Sequence, residues 1–337
     1  MKLIKFLLLA LGFAILYITV KAVGVETIFA KLIELRWKLL PLLIIYPFIY
    51  LFGTIGWSLA FPKSLPRQVP FWDLFRIRII GETLNAVIPM AASLGGEPVK
   101  AELLKSRYGI PLSEGLASLL IVHTTFWVSL NLFVISALVV TLKVIPLSPF
   151  IWQSVMIFLC LLGVIAVFLM LSLHLGIFKK VHSFGESFKW WGEKSEEKKH
   201  RFLTLDDQIK KFYTSDPQRF FGSVFFNFLA WFTGTFEVYW IAKILGIPLS
   251  FTGAWLLEAL IQVLRIVTFL IPSSIGTQEG GIVLIFLEFG FEKTIGLTFA
   301  IIRRIREIFW LAVGLILWVL IEDRPIDPRL KHSRMTI

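Results

Sequence analysis

The chain has 337 residues, of which 57% are hydrophobic and only 17% are charged. A soluble globular protein is nearer half apolar and a quarter charged, so this composition excludes an ordinary soluble domain and predicts a polytopic membrane protein. The formal net charge of +11 suits basic loops beside anionic lipid, and we expect no nucleic-acid partner. One cysteine, Cys160, excludes an internal disulfide, and five histidines without paired spacing predict no metal site and no cofactor.

Six apolar runs are long enough to cross a bilayer, for which a helix needs roughly 20 residues. In chain order they are Leu3–Val20, Leu39–Phe61, Gly115–Leu142, Phe150–Phe178, Phe220–Gly246 and Thr298–Ile321. Two further apolar segments, at about 71–108 and 253–290, are interrupted by charges, glycine and proline. We therefore expect an all-α polytopic membrane protein with about six full spans plus two re-entrant broken-helix hairpins.

The basic loops predict the orientation. The polar stretch 179–219 carries ten Lys/Arg against seven Asp/Glu, which suits a cytoplasmic connector. The basic C-terminal tail also suits the cytoplasm, so we expect a multi-pass protein with both termini inside. The basic loop at 21–38 disagrees, because this topology puts it outside.

The two interrupted segments resemble each other. The run IPMAASLGGEP begins at Ile88, and IPSSIGTQEGG begins at Ile271, an offset of 183 residues. With the expected topology, the halves 39–142 and 220–321 of a single domain, 1–337, are inverted repeats. Inverted repeats with broken helices are typical of secondary transporters, and their breaks mark the binding site.

Glycine and proline explain the breaks. Gly95 and Gly96 permit a tight reversal, and Pro98 suits the first turn of a returning helix. A helix N-terminus that points into the membrane is a natural site for an anion such as phosphate.

Charged residues inside the membrane segments are the candidate site. A charge at the bilayer centre costs at least about 2.5–3.5 kcal/mol, so such residues pair, reach the interface or serve function. Glu97 and Glu279 each follow a glycine break at matching repeat positions, which favours function. Arg303 and Glu307 are four apart and could form a helix pair, which would leave Arg304 to bind a lipid phosphate, with interfacial anchoring as the alternative.

For Glu102, Lys243 and Arg306 we favour pairing or interfacial anchoring. His123 lies within a span, and both a packed histidine and a proton relay are open. The candidate substrate-binding residues are Glu82, Asn85, Gly95, Gly96, Glu97, Lys100, Gly276, Glu279, Arg303 and Arg304.

The stretch GETLNAVIPMAASLGGEPVKAELL, followed downstream by IPSSIGTQEGG, resembles the transmembrane region of lysylphosphatidylglycerol synthases, which also occurs in stand-alone flippase-like proteins. The resemblance runs from roughly residue 40 to 322. It implies membrane helices with re-entrant elements, movement of phospholipid across the bilayer, and the prokaryotic cytoplasmic (inner) membrane. Such synthases carry a soluble aminoacyl-transferase domain after this region, whereas this chain ends at Ile337, so we expect no lysyl transfer and no enzyme activity from it.

We therefore expect a lipid flippase that moves an anionic or zwitterionic lipid through a polar cavity between the hairpins. Two alternatives stay open: a membrane enzyme with Glu97 and Glu279 as acid and base, and an accessory scaffold for lipid synthesis. The expected partner is membrane lipid. A separately encoded lipid-synthesis enzyme and a homo-oligomer are also compatible with the sequence.

Overall fold

The computed structural model describes residues 25–61, 69–87, 95–141, 195–268 and 276–321, with scattered positions within 14–21, within 149–168 and at 274. Every regular element in these ranges is helical. The helices are α1 (Val25–Leu35), α2 (Leu40–Ala60), α3 (Phe71–Val87), α4 (Glu97–Tyr108), α5 (Leu112–Thr141), α6 (Ser195–Ser215), α7 (Pro217–Ile244), α8 (Phe251–Val267), α9 (Thr277–Glu288) and α10 (Lys293–Ile321). A 3-10 turn, Arg36–Leu39, joins α1 to α2.

Four of the predicted spans coincide with the long helices α2, α5, α7 and α10, whose ends lie at most five residues from the predicted ones. The spans predicted at Leu3–Val20 and Phe150–Phe178 lie outside the described residues except for isolated positions, and so does the C-terminal tail. Within the described ranges, the helical stretches Ile33–Ala60 and Leu112–Thr141 are long and apolar enough to cross a membrane, judged by length and composition.

Each interrupted segment contains two helices, as its charges, glycines and proline predicted. Helices α3 and α4 have 17 and 12 residues, and α8 and α9 also have 17 and 12. The long helices that follow, α5 and α10, have 30 and 29 residues. The predicted turn at Ile88-Pro89 lies outside the described residues, as do 91–94, 269–273 and 275. Pro98 occupies the first turn of α4, as predicted.

Left-handed glycines end both short helices. Gly109 has φ +70° at the C-terminus of α4, and its N–H donates to Lys105 O at 3.0 Å. Gly290 has φ +78° in the turn between α9 and α10. Because glycine adopts this conformation without a Cβ clash, both positions can stop a short helix and begin a long one within a few residues.

The packing joins early and late helices of the chain. Helix α2 lies along α7 in the most extensive helix contact, α3 packs on α10, and α5 packs on both α7 and α8. Small polar groups join α7 to both neighbours. Ser223 Oγ donates to Gly56 O of α2 at 2.9 Å, and Asn227 Nδ2 donates to Thr125 Oγ1 of α5 at 3.2 Å. Small residues that let backbones approach are the usual interface of membrane helices.

Helix α6 covers part of the predicted cytoplasmic connector. Its sequence is polar overall, yet Leu205, Ile209 and Phe212 are buried in the core formed with α3, α4 and α5. These residues are four and three apart, so they form one apolar stripe. Helix α6 is therefore docked along one face rather than solvated on all sides.

Candidate functional site

The first cluster of charges centres on Glu97, the first residue of α4. Its Oε1 accepts a hydrogen bond from Lys100 Nζ at 2.7 Å and lies 3.2 Å from His123 Nε2 on α5. Asn85 Nδ2 on α3 donates to the same oxygen at 3.3 Å. Lys100 Nζ also donates to Glu82 Oε1 at 2.9 Å, so one buried lysine serves two carboxylates.

A close contact between two glycines holds α4 against α3. The Gly96 N–H, at the N-cap of α4, donates to Asn85 Oδ1 at 2.6 Å. A Cβ at Gly96 would overlap the carbonyl oxygen of Gly81. Gly96 has φ −85°, which any residue can adopt, so the turn needs glycine here for space rather than for its backbone conformation. Gly95 lies in the turn just before it.

Arg78 extends this cluster along α3. Its NH1 donates to Gly53 O on α2 at 3.0 Å, and its NH2 lies 3.9 Å from Glu82 Oε1. The side chain of Glu82 is 32% exposed, so the cluster reaches the surface there. We call the following residues the Glu97 cluster: Arg78, Glu82, Asn85, Glu97, Lys100 and His123.

The second cluster begins with buried pairs between α10 and helices α7 and α8. Arg303 NH1 donates to Glu258 Oε2 at 2.7 Å, and Arg303 Nε lies 3.5 Å from Glu237 Oε1. Arg306 NH1 donates to the other oxygen of Glu237. No one of these four residues is more than 1% exposed. Charges this deep persist only where partners replace water, and each of them has one.

The same cluster continues toward the second break. Arg304 Nε donates to Glu279 Oε1 at 2.7 Å, and Arg304 NH1 donates to Glu307 Oε2 at 2.8 Å. Glu279 Oε2 also accepts the Gly276 N–H at 2.8 Å, which caps α9. Gln278 Nε2 donates to Glu307 Oε1 at 3.1 Å. We call the following residues the arginine cluster: Glu237, Glu258, Arg265, Gln278, Glu279, Arg303, Arg304, Arg306 and Glu307.

The expected pairing of Arg303 with Glu307 is wrong, and so is the expectation that Arg304 is available to a phosphate. Arg303 turns toward α7 and α8, whereas Arg304 shares a helix face with Glu307, three residues on, and meets Glu279 as well. Arg306 is paired, as we favoured from the sequence.

Glu97 and Glu279 make different contacts despite their similar sequence context. Glu97 directly follows the N-cap Gly96, while Glu279 is the third residue after the N-cap Gly276. Glu97 therefore meets cations and His123, whereas Glu279 caps its own helix and binds Arg304. The expectation that the two glutamates occupy equivalent positions is wrong, because Glu279 lies two residues further from its N-cap than Glu97 does.

Both clusters contact α2. The Arg306 guanidinium of the arginine cluster is 4.1 Å from the centre of the Tyr46 ring, a cation–π contact. The rings of Tyr46 and Tyr50 are 5.2 Å apart. Arg78 NH1 of the Glu97 cluster donates to Gly53 O, seven residues after Tyr46. Seven residues are about two helical turns, so the two clusters contact the same side of α2.

All ten residues predicted for the site lie in or beside these clusters. The sequence prediction did not place Arg78, Glu237, Glu258 or Glu307 in the site. Each is a charge within a membrane segment, which is the signal that marks such residues. Within the described residues, no group of three His, Cys, Asp or Glu is placed to hold a metal ion. The chemistry present is that of paired charges on neighbouring helices.

Comparison with known proteins places the chain in a family. Residues 3–315 match the family described as the lysylphosphatidylglycerol synthase TM region, a range that includes both clusters. No curated protein and no solved structure matches the chain. The motif resemblance is thereby confirmed, and the chain belongs to the lysylphosphatidylglycerol synthase transmembrane-region family, a family of lipid-related membrane proteins.

Proposed function

We propose that the protein is a lipid translocase that moves an anionic or zwitterionic lipid across the membrane. The headgroup passes along the Glu97 cluster and the arginine cluster, while the acyl chains stay in the bilayer. The protein acts as a transporter, so the lipid leaves with the same covalent structure with which it entered.

One observation carries the proposal: a charge cluster lies at each of the two helix breaks. Glu97 begins α4 after one break, and Glu279 caps α9 after the other. Charges inside membrane segments are rare, and they mark substrate or ion pathways. Both clusters also reach the surface, because the side chains of Glu82 and Arg265 are 32% and 37% exposed.

The proposal includes an architecture of two inverted repeats in the prokaryotic cytoplasmic membrane, with both termini inside. It is supported by the equal lengths of the broken helices, 17 and 12 residues in each half, and by the long helix that follows each pair. In this arrangement the two hairpins enter the membrane from opposite sides, and their breaks meet beside α2. A headgroup that leaves one cluster is therefore close to the other cluster.

The test measures lipid movement in vesicles that contain the purified protein. Fluorescent phosphatidylglycerol and phosphatidylethanolamine serve as anionic and zwitterionic probes, and a membrane-impermeant quencher reports which leaflet holds them. Glu97→Gln and Glu279→Gln should each slow movement at least about tenfold, which is roughly 1.4 kcal/mol in the barrier. Arg304→Lys should also slow it, because lysine cannot contact Glu279 and Glu307 as the guanidinium fork does.

Glu292→Gln is the matched control, since Glu292 is exposed between α9 and α10. It should move lipid at the wild-type rate. If folded Glu97→Gln and Glu279→Gln proteins also move both probes at that rate, the clusters only stabilise the bundle and the proposal is wrong. Conversion of the probe to a new lipid, seen by mass spectrometry, would instead identify a membrane enzyme.

A further inference from the structure

Only one of the two carboxylate oxygens of Glu97 accepts hydrogen bonds from the described residues. Three donors lie near Oε1: Lys100 Nζ, His123 Nε2 and Asn85 Nδ2. Oε2 is buried and accepts no hydrogen bond from the described part of the chain. An ionised carboxylate oxygen that is buried without a donor is unfavourable, so additional positive charge beside Glu97 stabilises this arrangement.

His123 is placed to supply that charge. Its Nε2 lies 3.2 Å from a carboxylate oxygen that can only accept, so the neutral ring carries its proton on Nε2 and leaves Nδ1 as the acceptor. Its side chain is 20% exposed while that of Glu97 is 7% exposed, so the ring is the more accessible of the two. Histidine is also the side chain that ordinarily changes charge between pH 5 and 8.

We propose that His123 and Glu97 form a proton-binding site that couples lipid movement to proton movement. The proton binds at Nδ1 of His123, and the resulting imidazolium is held by the carboxylate of Glu97. This proposal rests on the proposed lipid translocation, which it deepens by naming the coupling ion.

The charge balance explains why a proton and an anionic headgroup should travel together. With His123 neutral, the cations Arg78 and Lys100 offset the anions Glu82 and Glu97, so the Glu97 cluster sums to zero. One proton on His123 makes the sum +1, which favours a phosphate at the cluster. By linkage, a bound phosphate favours the proton by the same factor.

The charged and titratable groups near His123 lie on three neighbouring helices. Helix α4 presents Glu97 and Lys100, and α3 presents Glu82 and Arg78 behind them. Helix α6 presents Tyr213, which bonds the adjacent Thr124; burial raises the pKa of Tyr213 to about 12, so it stays neutral at physiological pH. The ring of Phe126 lies against His123 and in turn against Trp231 of α7.

The arginine cluster provides the contrast. Its cations are all arginines, which stay charged over the whole physiological range. Its carboxylates each face at least one of these guanidinium groups. Only the Glu97 cluster, within the described ranges, therefore combines a histidine with a buried ion pair.

The first experiment detects proton binding without any transport. Nitrogen-15 NMR of histidine-labelled protein in lipid nanodiscs reports the protonation of each ring, and the His123 signal is identified by its loss in His123→Gln. Spectra recorded from pH 5 to pH 8 should show a protonated ring in the wild-type protein, and Glu97→Gln should reduce the protonated fraction because the imidazolium loses its anionic partner. A His123 ring that stays neutral over this range overturns the proton site.

The second experiment measures coupling in phosphatidylcholine vesicles with fluorescent phosphatidylglycerol as the probe and a pH dye inside. Because the protonated fraction falls up to about tenfold per pH unit, wild-type protein should move the probe at least about fivefold more slowly at pH 8 than at pH 6. Inward movement of the probe should acidify the interior. His123→Gln should abolish both effects. Phe126→Leu should retain them, because it alters the packing against His123 and Trp231 but removes no titratable group.

The outcomes separate the two proposals. Lipid movement without pH dependence or acidification overturns the coupling but leaves the translocase. Absence of lipid movement in every preparation overturns the translocase and its coupling, while the NMR titration still decides whether His123 and Glu97 bind a proton. If His123→Gln does not fold, the wild-type pH dependence and acidification decide the question.

Discussion

At the scale of single residues, glycines make room for the buried charges. A Cβ at Gly53 would lie 2.5 Å from the Arg78 guanidinium, and a Cβ at Gly81 would overlap the stem of Lys100. A Cβ at Gly234 on α7 would lie 2.5 Å from Glu258 Oε1. A long charged side chain can thus lie across a neighbouring helix only where that helix has no side chain.

Gly96 and Gly280 offer a matched pair for testing this role. Gly96→Ala should destabilise the protein by about 1–3 kcal/mol, because its Cβ would overlap the Gly81 carbonyl oxygen at the closest approach of α3 and α4. Gly280→Ala meets nothing within 4 Å and lies inside α9, so it should be neutral or stabilise by up to about 1 kcal/mol. Thermal unfolding of the two variants in detergent measures the difference. Equal melting temperatures would show that Gly96 is not a packing contact.

The sequence predicted the residues near the breaks better than it predicted their partners. Glu97 and Lys100 are three residues apart, so their pairing follows from helix geometry alone. Arg303 and Arg306 bind carboxylates 45 and 69 residues away, and only the packing of α10 against α8 and α7 selects them. The local pair expected from spacing, Arg303 with Glu307, does not form because Arg303 binds these distant carboxylates instead.

At the scale of helices, composition predicted where helices lie but not how they dock. The apolar runs located α2, α5, α7 and α10 because a membrane helix must be apolar over most of its length. The interruptions located the short helices because glycine and proline end helices. The sequence did not predict the docking of α6, because the buried apolar residues Leu205, Ile209 and Phe212 barely alter the composition of a 21-residue polar helix.

The inverted arrangement predicts that the ends of the two short helices face opposite sides of the membrane. Lys105 lies in the last turn of α4 and Lys293 begins α10, and both are exposed. In a Cys160→Ser background, a cysteine replacing Lys105 should react with an impermeant thiol reagent from the cytoplasmic side only. A cysteine replacing Lys293 should react from the outside only, because the second hairpin is inverted.

The parent Cys160→Ser protein, which should not react at all, is the control for that experiment. Reaction of both cysteines from the same side would contradict the inverted repeat. The two broken-helix segments would then have matching helix lengths but the same orientation in the membrane.

At the scale of the whole molecule, each half lies against the other. Helix α2 packs along α7, α3 packs on α10, and α5 packs on α8, so each of these contacts joins helices from different halves. Long helices from both halves carry exposed apolar residues three or four apart, such as Ile44 and Phe48 on α2 and Ile316 and Leu320 on α10. These outer faces suit lipid, while the charges lie inside the bundle.

This packing predicts that neither half is stable alone. Two pieces, divided between Gly185 and Glu186 in the polar connector, should assemble when they are expressed together and should aggregate or be degraded when they are expressed apart. Copurification of one tagged piece with the other measures assembly. Gly56→Leu in the first piece should abolish it, because a side chain there meets Asn227 Nδ2 at 3.0 Å in the α2–α7 contact, while Ile44→Leu on the exposed face should leave it intact. A monodisperse, folded piece obtained alone would show that the halves are separate domains. The charge clusters would then have to form within each half, without the contacts of α2 with α7 and of α3 with α10 that join the halves.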